Sequence, residues 1–323
     1  MNLLQELLQT VEIGTPQTFG GMTLFPLLRP ISAEPDYWTL TEAMNQNLLK
    51  ITEVSAGGHV PELLCRNLSD RSVLLLDGEE LVGAKQNRIL NLTILVPAHT
   101  DLKIPVSCVE RGRWHYNSYE FAVADRAYHP TGRAKKTRHV TESLKRMGSR
   151  HANQGEVWAD VDEHLMAFAC ESATAALADV YEKTSHSLNE YVGAFQAIAH
   201  QIGALFVVHG QIFGLELLDF PATFGKLLPK FSRSYGLEAL KPSRSQRSGV
   251  TTADAKAFLT TVAAATMETF DALAEGTDVR LTHPEVIGSA LVAKERVVHL
   301  SAFPTKIAQS KPRHHFWDDE LGF

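Results

Sequence analysis

The densest group of reactive side chains lies in one short segment, residues 77–88. The segment reads Asp77-Gly-Glu-Glu-Leu-Val-Gly-Ala-Lys-Gln-Asn-Arg88 and combines carboxylates, an ammonium, a guanidinium and two amides. It follows the aliphatic run 73–76, which predicts a buried strand. A strand end can aim functional groups at a ligand, but the same mixture of charges can also form structural ion pairs. The residues leave both interpretations open.

The side chains at the end of this segment suit an anionic ligand that also carries hydroxyl groups. Lys85 and Arg88 can hold a phosphate or carboxylate, and an arginine can do so through two parallel hydrogen bonds. Gln86 and Asn87 can both donate and accept hydrogen bonds, which suits hydroxyls or base edges. The alternative is a hairpin laced by internal ion pairs, although exposed ion pairs add little stability.

Carboxylates recur at two later strand ends. Glu110 ends an alternating strand and precedes Arg113 and Trp114, whose indole can stack on a base or sugar or cap the edge of a core. Glu216 interrupts an apolar strand that ends at Asp219. Because a buried acid needs a partner, we expect Glu216 to meet an arginine of the first two clusters or a metal ion.

The leading prediction is one site assembled from these three strand ends. Its candidate catalytic residues are Glu79, Glu110 and Glu216, which would bind a metal or act as a general base. Its candidate ligand-binding residues are Lys85, Gln86, Asn87, Arg88, Arg113, Trp114 and Asp219. Carboxylates beside lysine and arginine suit the hydrolysis of phosphoester or glycosidic bonds, in which cations stabilise an oxyanion. The metal ligands are not identified, and Mg²⁺ is the candidate cofactor.

Composition and motifs argue against several function classes. The 323 residues are 44% hydrophobic and 21% charged, which is typical of globular proteins. The net charge of −6 argues against broad binding to nucleic acid or anionic membrane, and the apolar runs are too short for a membrane span. No dinucleotide-binding glycine motif, Walker A motif or serine-hydrolase elbow occurs. The 14 histidines form no HxH or HExxH pattern, so the sequence indicates no transition-metal site.

The cysteines and the first residues predict a reduced cytoplasmic compartment. Cys65, Cys108 and Cys170 are too scattered for a zinc motif or a disulfide framework. Cys108 alternates with the apolar Val106, so we interpret it as a packed thiol and not as a nucleophile. The first residues lack a basic region, so we expect no secretory signal.

The hydrophobic pattern predicts an α+β fold with an antiparallel β-sandwich or barrel-like core and a helical layer. Period-two alternation at residues 88–96 and 103–110 indicates antiparallel strands. We expect residues 1–323 to form a single intertwined domain. Its expected parts are a β-rich part at 1–130, a helical part at 131–200, mixed strands and helices at 201–303 that complete the core, and a tail at 304–323.

The segment 133–151 is strongly basic, with seven lysines and arginines against one acid, Glu142. It is predicted to be a helix or a connector. We expect a solvated face, and the alternative is a flap that contacts phosphate groups.

Two of these stretches carry a resemblance to a known family. The run from Leu76 to Arg88 and the run Pro-Val-Ser-Cys-Val-Glu-Arg-Gly-Arg-Trp ending at Trp114 resemble the ARG and Rhodanese-Phosphatase-superfamily-associated protein domain, a bacterial family. Weaker likeness continues at 203–219 and 234–239, and the resemblance covers roughly residues 14–303. The family's name records gene neighbourhoods with ADP-ribosylglycohydrolases and rhodanese-like phosphatases. The resemblance therefore implies, by association, a role in ADP-ribose or NAD-linked metabolism.

Two functions from different classes remain open. The first is an enzyme or specific binder that acts on a phosphorylated ribose compound, with a small nucleotide-ribose molecule as its partner. The second is a non-catalytic β-sandwich module that binds carbohydrate or a protein partner. In a third interpretation, the protein is a component of an assembly and the three charged clusters form only salt bridges at its interfaces. The oligomeric state is not predicted by the sequence.

Overall fold

The structure is a computed structural model that describes residues 2–242 and 249–309. The part of the predicted tail at 310–323 lies outside the described residues. The helices are α1 Leu3–Thr10, α2 Leu40–Asn45, α3 Pro130–Met147, α4 Gln154–Ala167, α5 Leu177–Lys183, α6 Ser185–Ala194, α7 Pro221–Leu240, α8 Thr252–Ala263 and α9 Thr305–Ala308.

The strands form three sheets, and the predicted α+β class with antiparallel sheets is confirmed. The early strands are β1 Glu12–Ile13, β2 Gln17–Phe19, β3 Met22–Leu28, β4 Tyr37–Thr39, β5 Leu49–Glu53, β6 Glu62–Asn67, β7 Ser72–Leu75, β8 Glu79–Gly83, β9 Arg88–Leu90, β10 Ile94–Val96, β11 Asp101–Cys108 and β12 Phe121–Ala127. The late strands are β13 Gln201–Val208, β14 Gln211–Leu218, β15 Thr266–Asp271, β16 Thr277–Thr282, β17 Val286–Ala293 and β18 Arg296–Pro304.

Early and late strands share the largest sheet. Its nine strands run in the order β1-β3-β13-β14-β18-β17-β16-β15, with β2 added on β3. A six-stranded sheet has the order β12-β8-β9-β11-β6-β5, and a three-stranded sheet has the order β10-β7-β4. Only in the last sheet do described strands pair in parallel, at β4 and β7. The predicted strand ends at residues 77, 110 and 219 therefore belong to three different sheets.

The large sheet is covered on both faces. Along β13, Leu205 and Val207 pack in a core with α1 and α8. The alternate residues Phe206 and Val208 pack in a second core with α7. Burial on both faces explains why β13 is apolar along almost its whole length and does not alternate with polar residues.

The run 88–96 was predicted as one strand, and this prediction was wrong. β9 ends at Leu90 and pairs with β11, whereas β10 begins at Ile94 and pairs with β7. Between them, the Asn91 side chain donates to the Arg150 carbonyl and accepts from the Ser107 hydroxyl. These hydrogen bonds to distant residues interrupt the strand, so the run is divided between two sheets. The alternation of apolar and polar residues does not predict such contacts.

The basic segment is helix α3, and the expected solvated face was wrong for its first half. Arg133, Lys135 and Lys136 are buried, and each pairs with a carboxylate of another element. His129 caps the helix by accepting from the Gly132 N–H, and Pro130 occupies the first turn. The helix start thus directs basic side chains into the protein.

Candidate functional site

The predicted site residues divide between two networks and two separate ion pairs, and the neighbouring Glu80 forms a third pair. We call the first network the Arg133 cluster; it consists of Asp77, Arg133, Lys136, Glu216, Tyr235 and His299. We call the second the Arg88 cluster; it consists of Glu53, Lys85, Gln86, Asn87, Arg88, Glu110, Arg113, Trp114 and Tyr116. Glu79, Glu80 and Asp219 have other partners. The predicted single site remains a prediction, and the contacts place its candidates in different surroundings.

The Arg133 cluster is a buried ion-pair network. The Arg133 guanidinium donates two hydrogen bonds to Glu216 and a third, of 3.1 Å, to Asp77. The Lys136 ammonium donates to Asp77 as well. Gly78 has a φ of +82°, and a side chain there would meet Arg133 carbons at 2.8 Å. A glycine in the Asp77-Gly78 turn therefore lets the arginine approach.

The remaining bonds of Glu216 come from neighbouring strands and from α7. The Tyr235 hydroxyl donates to Glu216 at 2.8 Å, and His299 Nε2 lies 3.2 Å from the other oxygen. His299 Nδ1 contacts the Thr93 hydroxyl at 2.7 Å, so His299 is a core histidine with both nitrogens engaged. The expected partner for Glu216 was wrong, because Arg133 of the basic segment takes the place assigned to Arg88 or Arg113.

The charges in this cluster hold one another ionised. Burial alone would raise the pKa values of the Asp77 and Glu216 carboxyls, but the Lys136 and Arg133 charges near Asp77 and the Arg133 charge near Glu216 keep both below their usual values. Burial lowers the pKa of the Lys136 ammonium to about 8, so it is still charged near neutral pH. The adjoining cavity at His299 has room for about one water molecule. A substrate could reach Glu216 only if this cluster opened.

Glu79 and Glu80 point to opposite sides of β8, and both are buried. Glu79 pairs with Lys230 of α7 and accepts from the Leu76 N–H at 2.8 Å. Glu80 receives two hydrogen bonds from Arg126 of β12, of 2.6 and 3.0 Å. The partners are remote in sequence, so the segment is not a hairpin laced by its own ion pairs.

Asp219 lies at a third place, in a surface cleft of about 360 Å³ that Arg29 and Arg296 also line. The Tyr37 hydroxyl donates to one oxygen, and Arg296 Nε donates to the other at 2.9 Å. Burial nevertheless raises the pKa of the Asp219 carboxyl to about 6. The cleft could admit a ligand, so the predicted binding role of Asp219 stays a prediction.

The raised pKa of Asp219 predicts a pH-dependent stability. The Asp219 carboxyl has a pKa of about 6 in the folded protein and an ordinary pKa of 3.8 in the unfolded chain. The folded protein therefore binds the proton more tightly, and the stability that this adds is lost as the pH rises from about 4 to about 6. Because asparagine does not titrate, we expect the free energy of unfolding of Asp219→Asn, relative to that of wild type, to increase by about 2–3 kcal/mol between pH 4 and pH 7. Urea unfolding of both proteins at each pH measures this. If the difference in unfolding free energy between the two proteins stayed constant or changed in the opposite direction, the raised pKa of Asp219 would be contradicted.

In the Arg88 cluster, Arg113 fixes the turn that connects β8 and β9. Its guanidinium donates two hydrogen bonds to the Glu110 carboxylate, of 2.8 and 2.7 Å. It also donates to the carbonyls of Gly83 and Ala84 and to Asn87 Oδ1. Gly83 has a φ of +116°, a conformation that favours glycine. The Arg113 charge keeps the pKa of the Glu110 carboxyl below its usual value although burial opposes this. Arg113 and Glu110 thus neutralise each other and position the turn.

Arg88 and Glu53 are only partly satisfied. Arg88 Nη1 donates to Gln86 at 3.0 Å, but Nε and Nη2 have no hydrogen-bond partner among the residues that the structure describes. Glu53 Oε2 also lacks one, and its other oxygen lies 3.9 Å from Arg88 Nη2. Burial lowers the pKa of the Arg88 guanidinium, which the Glu53 charge opposes. A buried ion pair with unmade hydrogen bonds lowers the stability of the folded protein.

Aromatic rings lie over this pair at the protein surface. The Trp114 ring, 45% exposed, has the Arg88 guanidinium 5.6 Å from its centroid. The Lys85 ammonium lies 5.3 Å from the Trp114 ring and 5.1 Å from the Tyr116 ring. Trp114 is therefore not the cap of an apolar core; it covers two cations and faces solvent.

Sequence reasoning missed Glu53 and Tyr116. Glu53 carried a usable signal, because the alternation of β5 places it on the same buried face as Leu49 and Ile51. An acid on a buried face is a candidate for function. Cys108, which is adjacent to Arg88 across β9 and β11, is buried, and burial raises the pKa of its thiol to about 11. It is thus a protonated thiol, as predicted.

One group of residues could hold a transition metal. Among residues 2–242 and 249–309, His129, His164 and Glu238 are the only set of three or more candidate ligands whose ligand atoms converge. No motif spacing connects them, since they lie on three helices or helix ends. The predicted Mg²⁺ site at Glu79, Glu110 and Glu216 remains untested, and each of these carboxylates contacts a lysine or arginine.

Comparisons with known proteins identify a family. A family model, the ARG and Rhodanese-Phosphatase-superfamily-associated Protein domain, matches residues 10–303. This confirms the resemblance inferred from the two sequence runs. Neither the curated proteins nor the solved structures gave a significant match. In the described part of the chain, every helix is too short or too polar to cross a bilayer.

Proposed function

Since this chain belongs to the ARG and Rhodanese-Phosphatase-superfamily-associated Protein domain family, we propose that its Arg88 cluster binds a phosphorylated ribose compound, of the class to which ADP-ribose and NAD belong. The protein would act as a specific binder or as an enzyme on this compound. One observation carries the proposal. Buried Arg88 and Glu53 keep free donor and acceptor atoms beneath an exposed aromatic ring.

Ribose hydroxyl groups could satisfy the free atoms once the covering Trp114 ring moved aside, since Arg88 is fully buried beneath it. A hydroxyl can accept a hydrogen bond from Arg88 Nε or Nη2 and donate one to Glu53 Oε2, whereas a phosphate alone would be repelled by the Glu53 charge. Unmade hydrogen bonds of buried polar groups cost about 1–3 kcal/mol each. A ligand that completes them is therefore favoured over one that does not.

The phosphate and base of such a ligand would be bound nearer the surface. The Lys85 ammonium donates one hydrogen bond, to the Gly57 carbonyl at 2.8 Å, and an ammonium can donate three. Trp114 and Tyr116 present exposed ring faces beside it, and stacking of a base on an aromatic ring contributes about 1–3 kcal/mol. Arg113 is occupied by Glu110 and would act by positioning the turn.

The ion pairs favour binding over catalysis by the predicted carboxylates. Glu79, Glu110 and Glu216 each face a lysine or arginine, and for Glu110 and Glu216, whose carboxyl pKa values are lowered, this makes the carboxylate a weak proton acceptor. Glu53 has a free oxygen and is the better candidate for a general base in an enzyme that hydrolyses a phosphoester or glycosidic bond.

A second candidate function rests on the same aromatic surface. Trp114, Tyr116 and Tyr119 are 45, 43 and 79% exposed, and exposed rings of this kind also bind uncharged carbohydrate or a protein partner. A non-catalytic module would use all three rings and would not depend on Lys85 or on phosphate.

A ligand panel tests these functions. We expect ADP-ribose, ribose 5-phosphate or NAD to raise the melting temperature and to bind saturably by calorimetry, with and without Mg²⁺, and turnover is measured in parallel. At a hundred times Kd the stabilisation should be about 2.7 kcal/mol. Lys85→Met and Trp114→Ala should each weaken binding at least tenfold. No shift and no binding across the panel would rule the proposal out.

Two further variants act as controls and separate the candidates. Lys103→Met removes an exposed lysine from β11 and should leave affinity unchanged. Tyr119→Ala should also leave the affinity for phosphorylated ribose unchanged. Equal losses in Tyr119→Ala and Trp114→Ala, with neutral sugars binding as well as phosphorylated ones, would instead support the carbohydrate-binding module.

A further inference from the structure

A second polar centre, independent of the Arg88 cluster, lies where three helices meet. His129 caps α3, His164 lies on α4 and Glu238 lies on α7. All three side chains are buried, and one potential ligand atom of each lies within 4.8 Å of the others. The two imidazole rings are in contact, with centroids 3.8 Å apart.

The hydrogen bonds around the rings show where their lone pairs lie. His164 Nδ1 contacts the Asp160 carbonyl at 2.8 Å, and since a carbonyl only accepts, this nitrogen carries the proton. In the neutral ring Nε2 then has a free lone pair, which lies 3.5 Å from Glu238 Oε1. His129 Nδ1 accepts from the Gly132 N–H and lies 3.1 Å from the same oxygen. One carboxylate oxygen thus lies close to an unprotonated nitrogen of each imidazole.

Two of these three facing atoms, His164 Nε2 and Glu238 Oε1, have no hydrogen-bond partner among the described residues. His129 Nδ1 accepts from the Gly132 N–H, so the proton of this neutral ring lies on Nε2, which is also without a partner among the described residues. The Lys241 ammonium lies 3.0 Å from the other Glu238 oxygen, Oε2, and so leaves Oε1 free. Acceptor atoms crowded together in a dry interior repel one another unless a cation lies between them.

We propose that His129, His164 and Glu238 bind a divalent transition-metal ion of the Zn²⁺ type. Two imidazoles and one carboxylate form a ligand set that such ions prefer to Mg²⁺, and a fourth ligand would have to be supplied by a water molecule. The bond from His164 Nδ1 to the Asp160 carbonyl is the outer contact that orients metal-binding histidines. The ion would tie α3, which carries Arg133, to α4 and α7.

Metal uptake by the full-length chain tests the proposal. After removal of metals with a chelator, the wild-type protein should take up about one Zn²⁺ or Co²⁺ per chain by elemental analysis, with visible absorption bands for bound Co²⁺. Added Zn²⁺ should raise the melting temperature, and Mg²⁺ should not. Failure of the wild type to bind either transition metal would overturn the proposal and leave a buried His–Glu–His hydrogen-bonded group.

Variants locate the ion. Glu238→Gln keeps the size of the side chain, and His164→Gln removes one imidazole; each should lower affinity at least tenfold and abolish the Co²⁺ spectrum while circular dichroism shows a folded protein. His186→Gln, which removes an exposed histidine of α6, is the matched control and should bind like wild type. Unchanged uptake in both cluster variants would place the ion elsewhere. The ligand panel for the Arg88 cluster is independent of these results.

Discussion

Replacement of Arg133 by methionine is expected to lower the free energy of unfolding by about 3–5 kcal/mol. The substitution removes three hydrogen bonds and leaves Glu216 with only Tyr235 and His299 as partners. A buried carboxylate without its counter-charge is costly, whereas methionine itself packs well in an apolar space. Urea unfolding followed by circular dichroism measures the loss.

The double variant Arg133→Met with Glu216→Gln should recover part of this loss, because the second change removes the uncompensated charge. Arg111→Met is the matched control: Arg111 pairs with Asp162 on the surface, where the two side chains are 48 and 37% exposed, and we expect a loss below about 1 kcal/mol. Similar losses in Arg133→Met and Arg111→Met would mean that the buried network does not stabilise the fold.

Replacement of Arg113 by methionine is expected to cost a similar amount, about 3–5 kcal/mol, and also to abolish ligand binding. Glu110 would lose its bidentate partner, and the carbonyls of Gly83 and Ala84 would each lose one hydrogen bond. The turn that carries Lys85 and Asn87 would then no longer be fixed. Urea unfolding measures stability, and hydrogen exchange of the amides at 83–87 measures the order of the turn.

The matched control for Arg113 is Arg66→Met. Arg66 also forms a bidentate pair, with Asp101, but both side chains are about half exposed. We expect a loss below about 1 kcal/mol and no change in exchange at the turn. If Arg113→Met kept the exchange protection and the ligand affinity of wild type, the positioning role assigned to Arg113 would be refuted.

The two clusters have different consequences for function. The charges of the Arg133 cluster are matched within a space that admits little water, so this cluster connects the large sheet to α3 and α7. The Arg88 cluster is incomplete and lies under exposed rings, so it can gain free energy from a ligand. The residues 77–88, which the sequence presents as one unit, therefore contribute Asp77 to the first cluster and Lys85–Arg88 to the second.

Local pattern was enough to predict some features. The period-two alternation at 103–110 corresponds to β11, and the family followed from two short runs of residues. These features depend on contacts between near neighbours, which periodicity and turn chemistry record directly.

By itself, the sequence determined the α+β class, the family and the residue types available for a polar site. The tertiary structure alone decided which charges meet. Arg133 and Glu216 are 83 positions apart, and His129, His164 and Glu238 share no motif, so their pairing depends on how strands are ordered in the sheets and how helices pack. Periodicity reports which face of an element is buried, but an ion pair or metal site depends on distances across elements, and those are set only when the chain folds.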